Sequence, residues 1–254
     1  MDKNNEQPEN RTSAGKTKIL ACAVVIEELR SRLPPDIECE TLEFGLHRNP
    51  EELKKALQEA IDRSKGFDTI VLAYGLCGQA VLGLHTDGAT LVIPRADDCI
   101  AIFLGSRKAY LKQQLEKPGS YFLSKGWIEG RIDDTAPPTM PNYALMLQRY
   151  GEERANRMQA VYREKYRLKH YKRLAFITTS SETNLDEYKE RARARAGRMN
   201  LPYEEIAGAT TFMEKIARGT WDDEFVVVPP GQTVTFMDFW SDADKATMPG
   251  TATD

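Results

Sequence analysis

The chain has 254 residues, of which 41% are hydrophobic and 29% charged, and its formal net charge is −3. A chain of this length has enough apolar side chains to form one large or two small domains. Because the charge is nearly balanced, no strong electrostatic attraction to nucleic acid or to an anionic membrane surface is predicted. We therefore expect neither of them as a partner.

The apolar runs and the two ends of the chain bear on where the protein works. Every apolar run is far shorter than the roughly 20 residues that a membrane helix needs. Residues 1–17 are polar and carry no apolar signal core, so they are predicted to form a disordered lead, and residues 241–254 look equally loose. We therefore expect a cytoplasmic protein, whose four cysteines are core thiols, nucleophiles or metal ligands rather than disulfides.

Residues 18–118 alternate strands with helices. A strand within Lys18–Ile26 precedes a short helix that ends before Pro34 and Pro35. Asn49, as a cap, and Pro50 open a helix that runs to about residue 64 with an apolar stripe on one side. The other predicted elements of this part are strands at Ile37–Phe44, Thr69–Tyr74 and Ala89–Pro94 and a helix at Ala101–Leu115.

Residues 119–171 interrupt this alternation. The segment 119–142 contains three prolines and three glycines, and this composition predicts an irregular arm. Asn142–Tyr171 is predicted to form one long helix or a pair of helices. The two segments together read as an insertion.

Residues 172–240 return to the alternating pattern. Strands are predicted at Arg173–Thr178, Tyr203–Ile206 and Asp223–Val228, and helices at Leu185–Ala196, ended by Gly197, and at Thr211–Arg218. Strands that alternate with helices favour parallel sheets. The expected fold class is α/β, with two Rossmann-like parallel-sheet halves, 18–118 and 172–240, on either side of the insertion.

Three cysteines share one kind of position in this pattern. Cys22, Cys77 and Cys99 each lie at or just after the end of a predicted strand. Because the carboxyl ends of parallel strands meet at one edge of a sheet, we expect the three side chains at that edge. Cys39 lies in the middle of a predicted strand and is interpreted as a core residue.

Three thiolates at one place would repel each other unless a cation lay among them. Zinc accepts three sulfur ligands and keeps a fourth position open for water or substrate. A [4Fe–4S] cluster held by three cysteines is the alternative cofactor. Buried structural thiols and a single nucleophilic cysteine, Cys77, remain open as interpretations that need no metal.

The residues around these cysteines are the next candidates for a site. Gly75 and Gly78 flank Cys77 and allow the main chain to approach a ligand closely. Arg95 is positioned to pair with a substrate anion. Asp98 is either an acid, a base or an orienting group beside a metal-bound thiol, or simply the cap of the next helix. His85 is a candidate fourth ligand or proton carrier.

The ordered motifs ILACAVVIEEL, AYGLCGQAVLGL, LVIPRADDCIAIFLGSRKAY, GSYFLSKGWIE, RYGEERA and FVVVPPG extend from Lys18 to about Gly231. In this series the chain resembles a prokaryotic family catalogued as domain of unknown function 1638. The family pattern includes the three cysteines, Arg95 and a Gly-Ser-Arg that matches 105–107, which makes Ser106 and Arg107 candidate cofactor-binding residues. Many members have histidine at the position of Asp97, and Cys39 lies outside the pattern.

The resemblance implies no settled reaction, but members of the family often accompany corrinoid-dependent methyltransferases. We therefore expect a metal-binding protein that acts in methyl transfer or one-carbon metabolism on a small-molecule substrate, in the enzyme case as a metal-dependent methyltransferase with a corrinoid protein as partner. An iron–sulfur accessory protein of such a system and a metal-free binding module are the alternatives. The oligomeric state is left open.

Overall fold

The computed structural model describes residues 15–130, 143–166, 171–179 and 184–240. Outside these ranges lie the predicted lead up to residue 14, the second half of the arm (131–142), residues 167–170 of the predicted helical segment and the tail 241–254. The chain divides into two compact units. The first comprises Met1–Tyr110, Thr179–Ser181 and Gly208–Asp254, and the second comprises Leu111–Thr178 and Glu182–Ala207.

Strands and helices alternate along most of the described chain. In order they are β1 (Thr17–Cys22), α1 (Ala23–Arg30), β2 (Glu38–Leu42), α2 (Pro50–Arg63), β3 (Thr69–Ala73), β4 (Thr90–Pro94), α3 (Cys99–Phe103), α4 (Arg107–Glu116), β5 (Ser120–Leu123), α5 (Lys125–Glu129), α6 (Tyr143–Tyr150), α7 (Glu152–Tyr166), β6 (Arg173–Thr178), α8 (Leu185–Met199), β7 (Tyr203–Ala207), α9 (Thr211–Arg218) and β8 (Phe225–Val228). Short 3₁₀ turns occupy Phe44–Arg48 and Phe236–Phe239. In the ranges that are described, no helix is both long and apolar enough to cross a bilayer.

The first unit contains a five-stranded sheet in the order β2-β1-β3-β4-β8. The first four strands are parallel, and β8 is antiparallel to β4. The second unit contains the three-stranded parallel sheet β5-β6-β7. The predicted α/β class with two Rossmann-like parallel-sheet halves is therefore confirmed.

The helix α2 covers one face of the five-stranded sheet. Pro50 occupies its first turn, where a missing N–H costs nothing, although the Asn49 side chain makes no cap hydrogen bond. The predicted apolar stripe is buried against alternate strand residues, in a cluster that includes Leu53, Leu57, Ala60 and Ile61 with Leu20, Leu72 and Leu91. The intervening strand residues face the other side, where α1, α3 and α9 contact one another. The chain moves from β1 to β2 in one direction and from β2 to β3 in the other. When both crossovers are right-handed, their helices α1 and α2 lie on opposite faces of the sheet.

The helix predicted over Ala101–Leu115 is divided into α3 and α4. Gly105 lies between them with φ +82°, a left-handed conformation that glycine adopts at little cost. A Cβ atom on Gly105 would lie 2.5 Å from the Cβ of Ala209, and the Ala209 N–H donates to the carbonyl of Phe103 at 2.9 Å. The helix is interrupted at Gly105 because the segment that contains Ala209 packs against it. Apolar periodicity within Ala101–Leu115 does not predict this contact.

The first strand of the second unit lies inside the segment that was predicted to be irregular. Ser120–Leu123 pairs in register with Arg173–Phe176, and α5 follows directly with Ser124 as its cap. Leu123, Ile128, Leu174 and Phe176 form part of its core with Ala192 and Ala196 of α8. The prediction of an arm over 119–130 is wrong because the glycines and prolines of the whole segment obscured a four-residue strand. The predicted helix pair is confirmed, with α6 and α7 separated by Gly151 at φ +75°.

The last strand differs from the predicted arrangement in its partner. Residues 172–240 were assigned to one half, but β8 pairs with β4 of the first sheet, from Leu91–Val228 to Pro94–Phe225. The apolar run of β8 predicts a buried strand without saying which sheet it joins. The helix α8 also continues through Gly197 and ends at Asn200, which is left-handed with φ 53°.

Candidate functional site

The order of strands places a topological switch point between β1 and β3. The chain moves from β1 to β2 on one side and then crosses back to β3 on the other. Doubly wound sheets bind ligands in the crevice outside the carboxyl ends of the strands at such a point. Cys22 is the last residue of β1, and Cys77 lies in the turn that follows β3. Two of the predicted cysteines thus lie at the carboxyl ends of the strands on either side of this switch point.

The turn after β3 is fixed to the segment that leaves β4. The Leu76 N–H donates to the carbonyl of Ala96 at 2.8 Å, and the Cys77 N–H donates to that of Asp97 at 3.0 Å. A Cβ atom on Gly75 would lie 2.6 Å from the carbonyl oxygen of Ala96. Glycine is required at this position because the two main chains touch, whereas the sequence predicted a close approach to a ligand.

The residues that follow form a left-handed turn. Cys77, Gly78 and Gln79 have φ values of 46°, 69° and 75°. A residue other than glycine in this region costs on the order of 1–3 kcal/mol and persists only where its surroundings impose it. Cys77, which the sequence analysis considered as a single nucleophilic cysteine, therefore has a strained backbone.

The thiols of Cys22 and Cys77 pack against the same apolar cluster on the α2 face, which also contains Tyr74. Burial raises the pKa of Cys77 to about 12, and the nearby Cys22 contributes in the same direction. Burial also raises the pKa of Cys22, although the Val24 and Val25 amides, which stop short of hydrogen-bond geometry, act against it. The pKa of the Tyr74 phenol is raised by burial and then by Cys22, Cys77 and Cys39. All three groups are therefore neutral at neutral pH.

Cys39 lies on the opposite face of the sheet. It is paired in register with Ile19, whereas Cys22 shares its face with Leu20. Cys39 is half-buried on the edge strand β2, and burial raises the pKa of its thiol while Arg30 of α1 lowers it. The structure thus separates Cys39 from Cys22 and Cys77, as the sequence predicted, but exposes it more than a core residue.

Cys99 reaches the same edge of the sheet from the other helical layer. It is the first residue of α3, is 8% exposed, and belongs to a helix that packs with α1 and α9. Within the described ranges, no group of three or more His, Cys, Asp or Glu side chains is arranged to hold a metal ion. The structure therefore brings Cys22 and Cys77 together and places Cys99 at the same edge without assembling the three.

Asp98 acts as the cap of α3, which was one of its two predicted roles. Its carboxylate accepts hydrogen bonds from the amides of Ile100 at 2.8 Å and Ala101 at 3.4 Å. Burial raises its pKa, and the two amides act in the opposite direction. Asp98 also lies close enough to Cys77 to raise the pKa of that thiol.

Arg95, which was predicted to pair with a substrate anion, and Arg107, a candidate cofactor-binding residue, both contact the C-terminal turn of the unit. Arg95 donates from one Nη to the main-chain carbonyls of Asp238 and, at 3.2 Å, Trp240. The Arg107 guanidinium lies 3.4 Å from Asp97 and 6.0 Å from the centre of the Trp240 ring. Ser106 is a helix cap as well, since its hydroxyl accepts from the Ala109 amide at 3.1 Å.

His85 lies away from the cysteines. Its main chain exchanges hydrogen bonds with the Gln58 side chain, and its imidazole is exposed beside a shallow depression over α2. The turn at Gly78, in contrast, faces Pro50 at the start of that helix. At 1.5 Å per residue, Pro50 and Gln58 are about 12 Å apart along α2. The loop between Cys77 and β4 runs down the helix, which carries His85 out of reach of the site.

Two residues of this edge carried no signal in the sequence. Tyr74 read only as the end of an apolar strand, yet its phenol is buried beside two thiols. Trp240 stood before a tail of polar residues and was not singled out. Its position against Arg107 depends on a contact between distant parts of the chain, which no local pattern reveals.

Comparisons with known proteins identify a family. The family model described as "Protein of unknown function (DUF1638)" matches residues 41–217. No curated protein matches the chain. A solved structure titled "RedJ with PEG molecule bound in the active site" is 11% identical, covers 79% of this chain and 87% of its own, and has a TM-score of 0.19. A likeness at this level carries no argument about fold or function.

Replacing Gly75 by Ala tests the contact between the two loops. The added Cβ would meet the carbonyl oxygen of Ala96, so one main chain must move and hydrogen bonds of the turn are lost. We expect the free energy of unfolding, measured by urea denaturation, to fall by about 1–3 kcal/mol. Gly88→Ala is the matched control, because a Cβ there meets nothing within 4 Å, and it should change stability by about 0.5 kcal/mol or less. Equal stability of the two variants would contradict the close approach.

The raised pKa of Cys77 predicts slow alkylation in the folded chain after a chelator has removed any metal. The thiolate is the reactive form, so a pKa of about 12 in place of 9.0 lowers the labelling rate at pH 8 about a thousandfold relative to the urea-unfolded chain. The rate should keep rising well above pH 9. Iodoacetamide labelling followed by peptide mass spectrometry measures it, with Cys39 as an internal reference that should label faster. Equal rates in folded and unfolded chains would show that the thiol is not buried.

Proposed function

Since the chain belongs to the family described as "Protein of unknown function (DUF1638)", whose description names no activity, we propose its function from the site itself. The chain binds a thiophilic metal ion, zinc, at the carboxyl edge of its five-stranded sheet. Cys22, Cys77 and Cys99 are the ligands, and the fourth position is open for a substrate.

The observation that carries this proposal is the position of the two adjacent thiols. Cys22 and Cys77 lie on either side of the β1/β3 switch point, where a doubly wound sheet opens its ligand crevice. Scattered structural cysteines have no reason to occupy these two positions. A metal also supplies a positive charge beside these two half-buried thiols, and it lowers the pKa of each when it displaces the proton.

The donor set fits zinc in kind, and two of its members, Cys22 and Cys77, pack against the same cluster. Cys99 lies at the same edge, and the loop that precedes it is bonded to the Cys77 turn through the carbonyls of Ala96 and Asp97. Binding therefore requires the Cys99 side chain to turn from the α3 layer toward the other two. Asp98 already caps α3, so its carboxylate supports the helix and is not one of the ligands.

Zinc with three sulfur ligands would hold an exogenous thiol as a thiolate in its open position. The neighbouring residues serve the site in simpler ways. The apolar cluster that contains Tyr74 packs against both thiols, and the left-handed turn sets the direction of Cys77. We propose methyl transfer to such a thiol, with a corrinoid protein as methyl donor, as the reaction. The frequent association of family members with corrinoid-dependent methyltransferases supports the proposed reaction. The positions of the cysteines support only the metal site.

The metal content of cysteine variants tests the site. Protein purified under anaerobic conditions without chelator is expected to carry about one zinc ion per chain, measured by plasma mass spectrometry. Cys22→Ser, Cys77→Ser and Cys99→Ser should each lose it, because serine is a poor zinc ligand. Cys39→Ser is the matched control and should retain it, since Cys39 faces the other side of the sheet.

Each other outcome of this measurement rejects a part of the proposal. If the protein is brown and contains iron and sulfide, the cofactor at these residues is an iron–sulfur cluster rather than zinc. Retention of zinc by Cys99→Ser would reduce the site to Cys22 and Cys77 with other ligands. Absence of metal from gently prepared, folded protein would reject the metal site and leave the metal-free binding module as the interpretation.

The reaction is tested separately with zinc-loaded protein, methylcobalamin and mercaptoethanol. Transfer moves a methyl group from cobalt to the thiolate sulfur, so cob(I)alamin and the methyl thioether are expected in equal amounts. Cys77→Ser should lower the rate of thioether formation to that without protein. A zinc-loaded wild-type chain that produces no thioether above that rate would reject methyl transfer and leave the metal site standing.

A further inference from the structure

The side chain of Glu28 is a buried charged group that the proposed metal site does not use. Glu28 lies on α1 and is 7% exposed, whereas the other buried residues of this helix are all apolar: Val24, Val25, Ile26 and Leu29. It follows Cys22 by six residues, which is about 9 Å along the helix axis. Because α1 packs with α3 and α9, the Glu28 carboxylate is a feature separate from the Cys22 and Cys77 thiols on the α2 face.

The carboxylate of Glu28 has a hydrogen bond at one oxygen and none at the other. Oε2 accepts from the hydroxyl of Thr179, which is 4% exposed and belongs to the same unit. Oε1 is buried and has no hydrogen-bond partner. Arg32, one turn further along the chain, donates to the main-chain carbonyl of Glu28 at 2.5 Å and not to its side chain. Among the residues that the structure describes, the carboxylate therefore has no ion-pair partner.

This arrangement is costly for a carboxylate inside a protein. Burial of a negative charge is unfavourable unless a cation or several hydrogen-bond donors compensate it. Buried polar atoms of native proteins nearly always have a partner, and one that lacks it indicates a donor or an ion that completes the site. Thr179 fixes the carboxylate through Oε2, so Oε1 is the atom that takes a donor from outside the chain.

We propose that Glu28 binds the protonated amino group of a small molecule through Oε1. An ammonium group brings both an N–H donor and a positive charge, and a charge-assisted hydrogen bond of this kind is stronger than one between neutral groups. Calcium and magnesium ions take about six or more oxygen ligands. In the ranges that are described, no group of three or more His, Cys, Asp or Glu side chains is arranged to hold a metal ion, so an amine suits this single carboxylate better.

Thermal denaturation with methylammonium chloride as the probe tests the amine site. Tetramethylammonium chloride at the same concentration is the reference, because it carries the same charge without an N–H donor. We expect Tm to rise above the reference by about 2–4 °C when methylammonium is present at about five times its dissociation constant. Hydrogen–deuterium exchange of the α1 amides in the wild-type chain should slow with it.

Glu28→Gln removes the charge and keeps the shape of the side chain, so it should abolish the rise in Tm. Glu27→Gln is the matched control on the same helix, because Glu27 is exposed, and it should respond as the wild type does. The exchange measurement on the wild type still decides the matter if Glu28→Gln does not fold.

Three results would overturn the amine site. They are the same Tm and α1 exchange of the wild type in the two salts, a response to methylammonium that Glu28→Gln retains, and a rise with potassium chloride as large as that with methylammonium. The site goes beyond the proposed function and does not depend on it. Cys22→Ser should therefore respond to methylammonium as the wild type does, whatever the metal analysis shows.

Discussion

The contact of Gly75 with the main chain beyond β4 is the constraint on which the carboxyl edge of the first sheet depends. It lets two loops from neighbouring strands lie together, and the amides of Leu76 and Cys77 then bond to the carbonyls of Ala96 and Asp97. Any side chain at position 75 would push the loops apart. The left-handed turn at Cys77, the cap at Asp98 and the direction of α3 all start from this junction.

The electrostatics of the site follow from the same junction. Because the turn directs Cys77 back toward the α2 face, its thiol joins Cys22 and Tyr74 among apolar side chains. Burial then favours the neutral form of each group, and each ionised cysteine would make the ionisation of its neighbours harder. The neutral thiols of such a cluster are weak nucleophiles. They are suitable ligands for a soft cation, which would replace their protons. Chemistry at this edge therefore depends on what is bound there.

Arg95 and Arg107 stabilise the C-terminal turn of the first unit. Arg95 donates to the carbonyls of Asp238 and Trp240, and Arg107 faces the Trp240 ring while it is ion-paired with Asp97 at 3.4 Å. Since the carbonyl of Asp97 accepts from the Cys77 amide, Arg107 links this turn to the loop that carries Cys77.

The sequence by itself determined the α/β class, most elements of the first sheet and the position of three cysteines at strand ends. These features follow from local patterns: apolar periodicity, a proline at the first turn of α2, and residues placed directly after apolar runs. The sequence also separated Cys39 from the others, because alternation along a strand assigns each residue to a face. It did not determine that β5 begins inside a segment rich in glycine and proline.

Only the tertiary structure decided which residues meet. The pairing of β8 with β4, the break at Gly105 and the hydrogen bonds from Arg95 to the carbonyls of Asp238 and Trp240 are contacts between segments far apart in the chain. His85 was carried down α2 because its loop follows the helix, and Cys99 was placed in the α3 layer because α3 packs on α1 and α9. Local patterns fix the period and the polarity of a segment, whereas its partner depends on the packing of the whole unit. For that reason the sequence gathers the cysteines at one edge, and the structure shows which two of them adjoin.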